Sequence, residues 1–130
     1  MSSIFSKIIK GEIPCYKVAE NDQFLAFLDI MPLKEGHVLV IPKIEVDFIF
    51  DMDDNLLCDM MIFSKQVAHK MKRVLPCKKI GVTVIGLEVP HAHIHLIPID
   101  SVDDMNFAKP KLKLENEALE KLANLINAQS

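Results

Sequence analysis

Apolar residues recur along this chain with a period that switches from helical to strand-like and back. Ile4, Phe5, Ile8 and Ile9 stand three and four residues apart before Gly11, which predicts a short helix ended by glycine. Val18-Ala19-Glu20 reads as a strand end and Glu20-Asn21-Asp22 as a turn. Phe24 to Ile30 is an apolar run closed by Pro32 and reads as a buried strand. Lys34-Glu35-Gly36 turns the chain into His37-Val38-Leu39-Val40-Ile41-Pro42, a second strand stopped by proline. Asp51 to Asp54 supplies N-caps and negative charge for a helix start. Leu57, Met61, Ser64, Ala68, Met71 and Leu75 then mark one face of a helix of roughly five turns, stopping near Pro76. Ile80 to Ile85 is strand-like and is expected to pair, across a short turn near Gly86, with the segment that follows. Leu119, Leu122, Ala123 and Ile126 mark an amphipathic C-terminal helix. The succession predicts the α+β class: an antiparallel sheet of about five strands, with the long helix and the C-terminal helix on one face. No repeat or linker interrupts the pattern, so residues 1–130 are expected to form a single domain.

The strand-like segment after Gly86 carries the chemistry. It reads Pro90-His91-Ala92-His93-Ile94-His95-Leu96-Ile97-Pro98, so three of the chain's five histidines alternate with apolar residues. Strand side chains alternate faces, which puts all three imidazoles on one face and Ala92, Ile94 and Leu96 on the other. A helix would scatter them. Imidazoles near their own pKa serve nucleophilic catalysis, proton transfer or metal binding. A central imidazole with one nitrogen free and the other held by an acceptor can attack phosphorus or an acyl carbon. Flanking rings can donate to anionic oxygens or to a leaving group. Three histidines plus water also make a zinc site, but only Glu88 stands nearby as an acidic ligand, and no metal is expected. His37, just after Gly36, is a fourth candidate. His69 fits a solvated helix face. Asp29 is either a turn cap or a binder of ligand hydroxyls.

Composition narrows the picture. Half of the residues are hydrophobic and a quarter charged, as in a globular chain. A net charge of −3 gives no nucleic-acid-coating surface. No apolar run is long enough to span a bilayer, and the N-terminus lacks a secretory layout, so no membrane partner and a cytoplasmic location are expected. Cys15, Cys58 and Cys77 are too few and too far apart for a disulfide framework, which fits a reducing compartment. No GxxxxGK[ST] loop is present. Lys109, Lys111 and Lys113 alternate with Pro110, Leu112 and Leu114; a solvated edge is the simpler reading, contact with a polyphosphate tail the sharper one.

Four ordered segments resemble the histidine triad (HIT) family, in its nucleoside phosphoramidase-like branch. They are Ile4 to Pro14, Ala26 to Pro32, Gly36 to Lys43, and the His-x-His-x-His row with apolar residues between. The resemblance implies a HIT-like fold and a nucleotide hydrolase or transferase acting at the α-phosphorus of a purine nucleotide. The substrate would be a nucleoside 5′-phosphoramidate, with AMP or GMP as the nucleotide. His93 matches the nucleophile that forms a nucleotidyl-histidine, His91 and His95 its flanking partners, and His37 the additional histidine. Asp29 matches the acid that holds the ribose hydroxyls. Phe5, Ile8, Phe27 and Ile30 match the apolar positions around the purine, and Glu88 and Val89 belong with the nucleotide-binding residues. A homodimer with a sheet continuous across the interface is implied; no cofactor is. Many family members hold structural zinc with an N-terminal cysteine pair; here Ser3 and Ser6 stand at those places, so that zinc is not expected. Leu87 replaces a usual glutamine, and Glu88 a small hydroxyl residue. Glu88 either points away along the strand or, protonated, donates to the leaving group. The alternatives are a dinucleoside polyphosphate hydrolase, a nucleotide-binding protein with weak activity, and a zinc-binding module.

Overall fold

The computed structural model describes residues 3–130; Met1 and Ser2, where the N-terminal segment read for a leader begins, lie outside them. The chain runs α1 (Ile4–Ile9), β1 (Lys17–Glu20), β2 (Phe24–Leu28), β3 (Val38–Pro42), α2 (Asp54–Val74), β4 (Lys79–Thr83), β5 (Ile94–Ile99) and α3 (Asn116–Asn127). The five strands form one sheet in the order β1-β2-β3-β5-β4, antiparallel throughout. This is the predicted α+β architecture. No described helix is long and apolar enough to cross a membrane.

The period-two alternation sorts the sheet into two faces. Phe24, Ala26 and Leu28 of β2, Val38 and Val40 of β3, and Ile94 and Leu96 of β5 pack into one core with Met60, Phe63, Val67 and Met71 of α2 and Leu119, Leu122, Ala123 and Ile126 of α3. Leu25 and Phe27 of β2 and Leu39 and Ile41 of β3 turn to the opposite face and pack with Phe5, Ile8 and Ile9 of α1. So α2 and α3 cover one face, and the short α1 covers part of the other.

Asp53 caps α2 by accepting from the Leu56 N–H at 2.8 Å, and the helix ends at Leu75, before Pro76. Its apolar stripe sits one position off the expected one. Met60, Phe63, Ser64, Val67 and Met71 are buried, whereas Met61 is 48 % exposed. Both stripes share Ser64 and Met71; contact with the sheet, not the spacing, chooses between them. Ser64 carries a consequence. Its Oγ is buried with no hydrogen-bond partner among the described residues. Ser64→Ala removes an unmet polar group and improves helix propensity, so it is expected to stabilise the protein by about 1 kcal/mol. Thermal denaturation should show an upward shift of a few degrees; a downward shift would mean that the hydroxyl has a partner after all.

Two strand boundaries differ from the sequence reading. β2 stops at Leu28, and Asp29 begins the turn toward His37. The pairing of β5 starts at Ile94, so His91 and His93 lie in the extended segment leading into it. Pro90 has no N–H to offer a ladder, and the Ala92 N–H is taken by the Val46 carbonyl at 2.6 Å. The expected short turn near Gly86 is instead a connection over residues 84–93, with Gly86 at φ 72.

Candidate active site

Gly36 makes the turn before β3 at φ 94, where a Cβ would meet Leu75 Cδ1 at 2.5 Å. That turn delivers His37 beside β5. His95 pairs with Leu39 on β3 and with Thr83 on β4, on the face away from α2 and α3. The rings of His93 and His95 are 4.9 Å apart, and Phe5 meets His93 edge-on at 5.0 Å and His91 at 5.9 Å. All four histidines are buried or nearly so.

Hydrogen bonds dictate which nitrogen of each ring carries the proton. The Leu33 N–H donates to His37 Nδ1 at 3.1 Å, so neutral His37 carries its proton on Nε2. That N–H donates to His95 Nδ1 at 2.9 Å, leaving the His95 proton on Nε2. His93 Nδ1–H donates to the His91 carbonyl at 2.7 Å, which leaves its Nε2 lone pair bare. His91 Nε2–H donates to the Pro42 carbonyl at 2.8 Å. Among the described residues, neither His93 Nε2 nor His95 Nε2 has a protein hydrogen-bond partner. The row therefore presents one lone pair and, beside it, one N–H.

Burial favours the neutral form of His37, His93 and His95. It pushes His37 down to about 3, with His95 and Lys111 adding to the effect, and His95 down to about 4, with His93 adding to it. His93 is also lowered, first by burial; its bond to the His91 carbonyl and the charge of Glu88 act against this. Burial raises Asp29, against the Met31 N–H and Lys111. Its Oδ1 accepts from the Met31 N–H at 2.9 Å, and Oδ2 lies 3.8 Å from His37 Nε2. Asp29 is thus a turn cap whose second oxygen turns toward the histidines.

Of the candidate residues, Phe5, Phe27, Ile8 and Val89 come together on the histidine face. Phe5 and Phe27 meet edge-on at 5.7 Å. Ile30 does not join them; it is 61 % exposed, because the strand ends before it. Glu88 is exposed on the 84–93 connection, close enough for its charge to raise both His93 and Asp29. The lysine row splits. Lys109 pairs with Asp103, while Lys111 donates to the Phe107 carbonyl at 2.5 Å and its charge reaches Asp29 and His37.

Phe107 was not a sequence candidate, yet its edge packs on His95 at 5.0 Å and on His37 at 6.3 Å. A lone aromatic in a polar segment gives no signal of this. The segment is brought back to the site by the Leu112 N–H, which donates to the Pro32 carbonyl at 2.8 Å.

Neither group of potential metal ligands suits an ion. Asp29, His37 and His95 bring ligand atoms within 4.8 Å of one another. A metal would need the His37 Nε2 lone pair, which moves the proton to Nδ1, against the Leu33 N–H. Ser3 and Ser6 offer neutral hydroxyls already spent in hydrogen bonds, not the thiolates or imidazoles that zinc prefers. An open depression of about 550 Å³ at the start of α2 is lined by Asp53, Asp54 and Asp59 and would repel a phosphate.

Comparison with known proteins agrees with this geometry. A family model described as the HIT domain matches residues 10–102. A HIT-like protein of Borreliella burgdorferi is 39 % identical, the match covering 95 % of each chain. The adenosine 5′-monophosphoramidase HNT1 of Saccharomyces cerevisiae is 43 % identical over 73 % of this chain and 61 % of its own length. Among solved structures, a Bartonella henselae protein described as a Hit-like protein involved in cell-cycle regulation superposes with a TM-score of 0.84 at 32 % identity, covering 98 % of this chain and 95 % of that one. A family model matched over residues 10–102, a relative matched over nearly its whole length and a shared fold show that the chain belongs to the HIT, or histidine triad, family.

Proposed function

We propose that this protein hydrolyses purine nucleoside 5′-phosphoramidates at the α-phosphorus through a nucleotidyl-histidine on His93. The observation that carries the reading is the fixed proton pattern of the row: a bare lone pair on His93 Nε2 beside an N–H on His95 Nε2. His93 Nε2 attacks the α-phosphorus, and the P–N bond to the leaving amine breaks. The amine takes up one proton from solvent as it departs. Water then attacks the nucleotidyl-histidine, releases the nucleoside monophosphate and returns that proton. The His95 N–H stabilises charge on the departing group or on a phosphoryl oxygen. Asp29 accepts from the ribose hydroxyls, and Phe5, Phe27 and Ile8 form the apolar wall for the purine. The yeast relative named as an adenosine 5′-monophosphoramidase supports this class of substrate.

A second copy of the chain is the proposed partner. β4 is a free edge of the sheet, and Val82 on it, with Val84 and Ile85 beyond it, is exposed. Met61 and Ile62 of α2 are exposed as well. A homodimer with a continuous sheet would cover such an edge. A cytoplasmic location fits the free cysteines and is part of the same proposal.

The test is AMP release from adenosine 5′-phosphoramidate by the purified protein, with and without a chelator. Chelator-resistant turnover supports the reading; no turnover defeats it. Lys111 favours one second reading, a dinucleoside polyphosphate hydrolase, because its ammonium has no carboxylate partner among the described residues. If that reading holds, Lys111→Ala lowers kcat/KM on a diadenosine polyphosphate by about tenfold or more, as expected for a lost charged hydrogen bond. On the phosphoramidate it leaves kcat/KM within about twofold.

A further inference from the structure

The segment from Pro42 to Val46 grips one residue, His91, three times. The Pro42 carbonyl accepts from the ring Nε2–H at 2.8 Å. The Val46 carbonyl accepts from the Ala92 N–H at 2.6 Å, which fixes the peptide unit carrying the His91 carbonyl. The third grip runs through two buried hydroxyls. Glu45 Oε1 accepts from the Ser6 hydroxyl and, at 3.3 Å, from the Ser3 N–H. Ser3 Oγ lies 3.2 Å from Ser6 Oγ and 3.2 Å from His91 Nδ1. With the His91 proton on Nε2, facing the Pro42 carbonyl, Nδ1 accepts from the Ser3 hydroxyl and the Ser6 hydroxyl goes to Glu45, so the link between the two serines is the Ser6 N–H donating to Ser3 Oγ.

Glu45 is an odd residue for this work. It is exposed, with no cation pairing among the described residues. Yet it spends an oxygen on groups at the start of α1, where Ser3 also caps the helix by accepting from the Ser6 N–H at 3.0 Å. What those groups hold is His91, and what the His91 carbonyl holds is the Nδ1–H of His93. We propose that Glu45 is a positioning residue for His93, acting through Ser6, Ser3 and the His91 carbonyl that fixes the His93 ring and its tautomer. The proposal rests on the nucleophile reading of His93. The chain of contacts leads from a surface carboxylate to the one bond that keeps the proposed attacking nitrogen bare, beside the Val46–Ala92 backbone bond and the Phe5 contacts of α1.

Three variants test it: Glu45→Ala, Glu45→Gln and Ser6→Ala. The readouts are kcat and KM for AMP release from adenosine 5′-phosphoramidate, and ¹⁵N spectra of the histidine side chains, which report tautomers. Glu45→Ala is expected to lower kcat by about tenfold, as for one lost charged hydrogen bond, with KM within about twofold of wild type. A second His93 tautomer should appear in its spectrum. Glu45→Gln keeps an acceptor for Ser6 and should restore most of kcat, and Ser6→Ala, which leaves the Ser3 N–H on Glu45, should fall between Glu45→Ala and wild type. Wild-type kcat with a single tautomer in Glu45→Ala overturns the proposal. So does a fall in kcat with an unchanged spectrum, or a rise in KM alone, since loosening α1 and its Phe5 wall would give either. If the wild type shows no turnover, the hydrolase reading fails separately. The spectra then decide alone: a second His93 tautomer in Glu45→Ala supports positioning, and an unchanged one overturns it.

Discussion

His93→Ala is expected to abolish AMP release from adenosine 5′-phosphoramidate, with a loss in kcat/KM of about 10,000-fold, in the range seen when a covalent nucleophile is removed. The reason lies in how the row is wired. His91 and His95 cannot substitute for His93. His91 Nε2 is committed to the Pro42 carbonyl, and its Nδ1 faces Ser3. The unprotonated nitrogen of His95, Nδ1, already accepts from His37 Nε2–H. Only His93 keeps its lone pair free, because its proton is drawn to the His91 carbonyl. Nucleotide binding should survive the change, because Phe5, Phe27 and Asp29 are untouched. Isothermal titration with AMP checks this, and turnover in the variant above about one hundredth of wild type would remove His93 as the nucleophile.

Acid should destabilise the fold by several kcal/mol well before its carboxylates are protonated. His37 is held at about 3 and His95 at about 4, against about 6.5 in an unfolded chain. Both are lowered, so the unfolded state binds the extra protons between these values. The stability they protect is fully present above about pH 6.5 and is lost as pH falls from there toward about 4 and then 3. Each group costs about 2 kcal/mol at pH 5, or about 4 kcal/mol together. Asp29, raised by burial, works in the opposite direction and begins to offset the loss at lower pH. His93, also lowered, adds to the loss. Thermal melting at pH 7 and pH 5 should show the drop, and His37→Asn should remove about half of the slope. A melting temperature that is flat over that range would mean that these rings are not held neutral by burial.

The same neutrality serves the proposed mechanism. A nucleophilic imidazole must be unprotonated, and lowering His93 keeps it so below the pH at which a free histidine would be half charged. The residues that make the row sensitive to acid in stability therefore make it tolerant of acid in chemistry.

Much of this was readable from the chain because local rules carried it. The period-two spacing of His91, His93 and His95 put all three rings on the face away from the long helix, although only His95 lies in the paired strand. Periodicity also found the C-terminal helix, whose Leu119, Leu122, Ala123 and Ile126 are all buried. It placed the α2 stripe one position off, because 3.6 residues per turn leave two overlapping arcs and only packing against β2, β3 and β5 selects Phe63 over Met61. It carried β2 through Ile30, where the Asp29 carboxylate caps a turn instead and leaves Ile30 to solvent.

The sequence by itself determined the class of the fold, the face of the sheet that bears chemistry and the identity of the histidines, because these follow from alternation and residue type. Only the tertiary structure decided how each histidine is hydrogen-bonded. The Leu33 N–H and the carbonyls of Pro42 and His91 are backbone groups, which every residue carries and no side-chain pattern reveals. Their placement assigns the protons, and the proton assignment separates a ring with a bare nitrogen from a ring with a free N–H among rings of identical composition. Phe107 and Glu45 reach the row across 12 and 46 residues of chain, counting 107 minus 95 and 91 minus 45. Contacts of that kind depend on how loops return to the sheet, which long-range packing sets and local sequence does not.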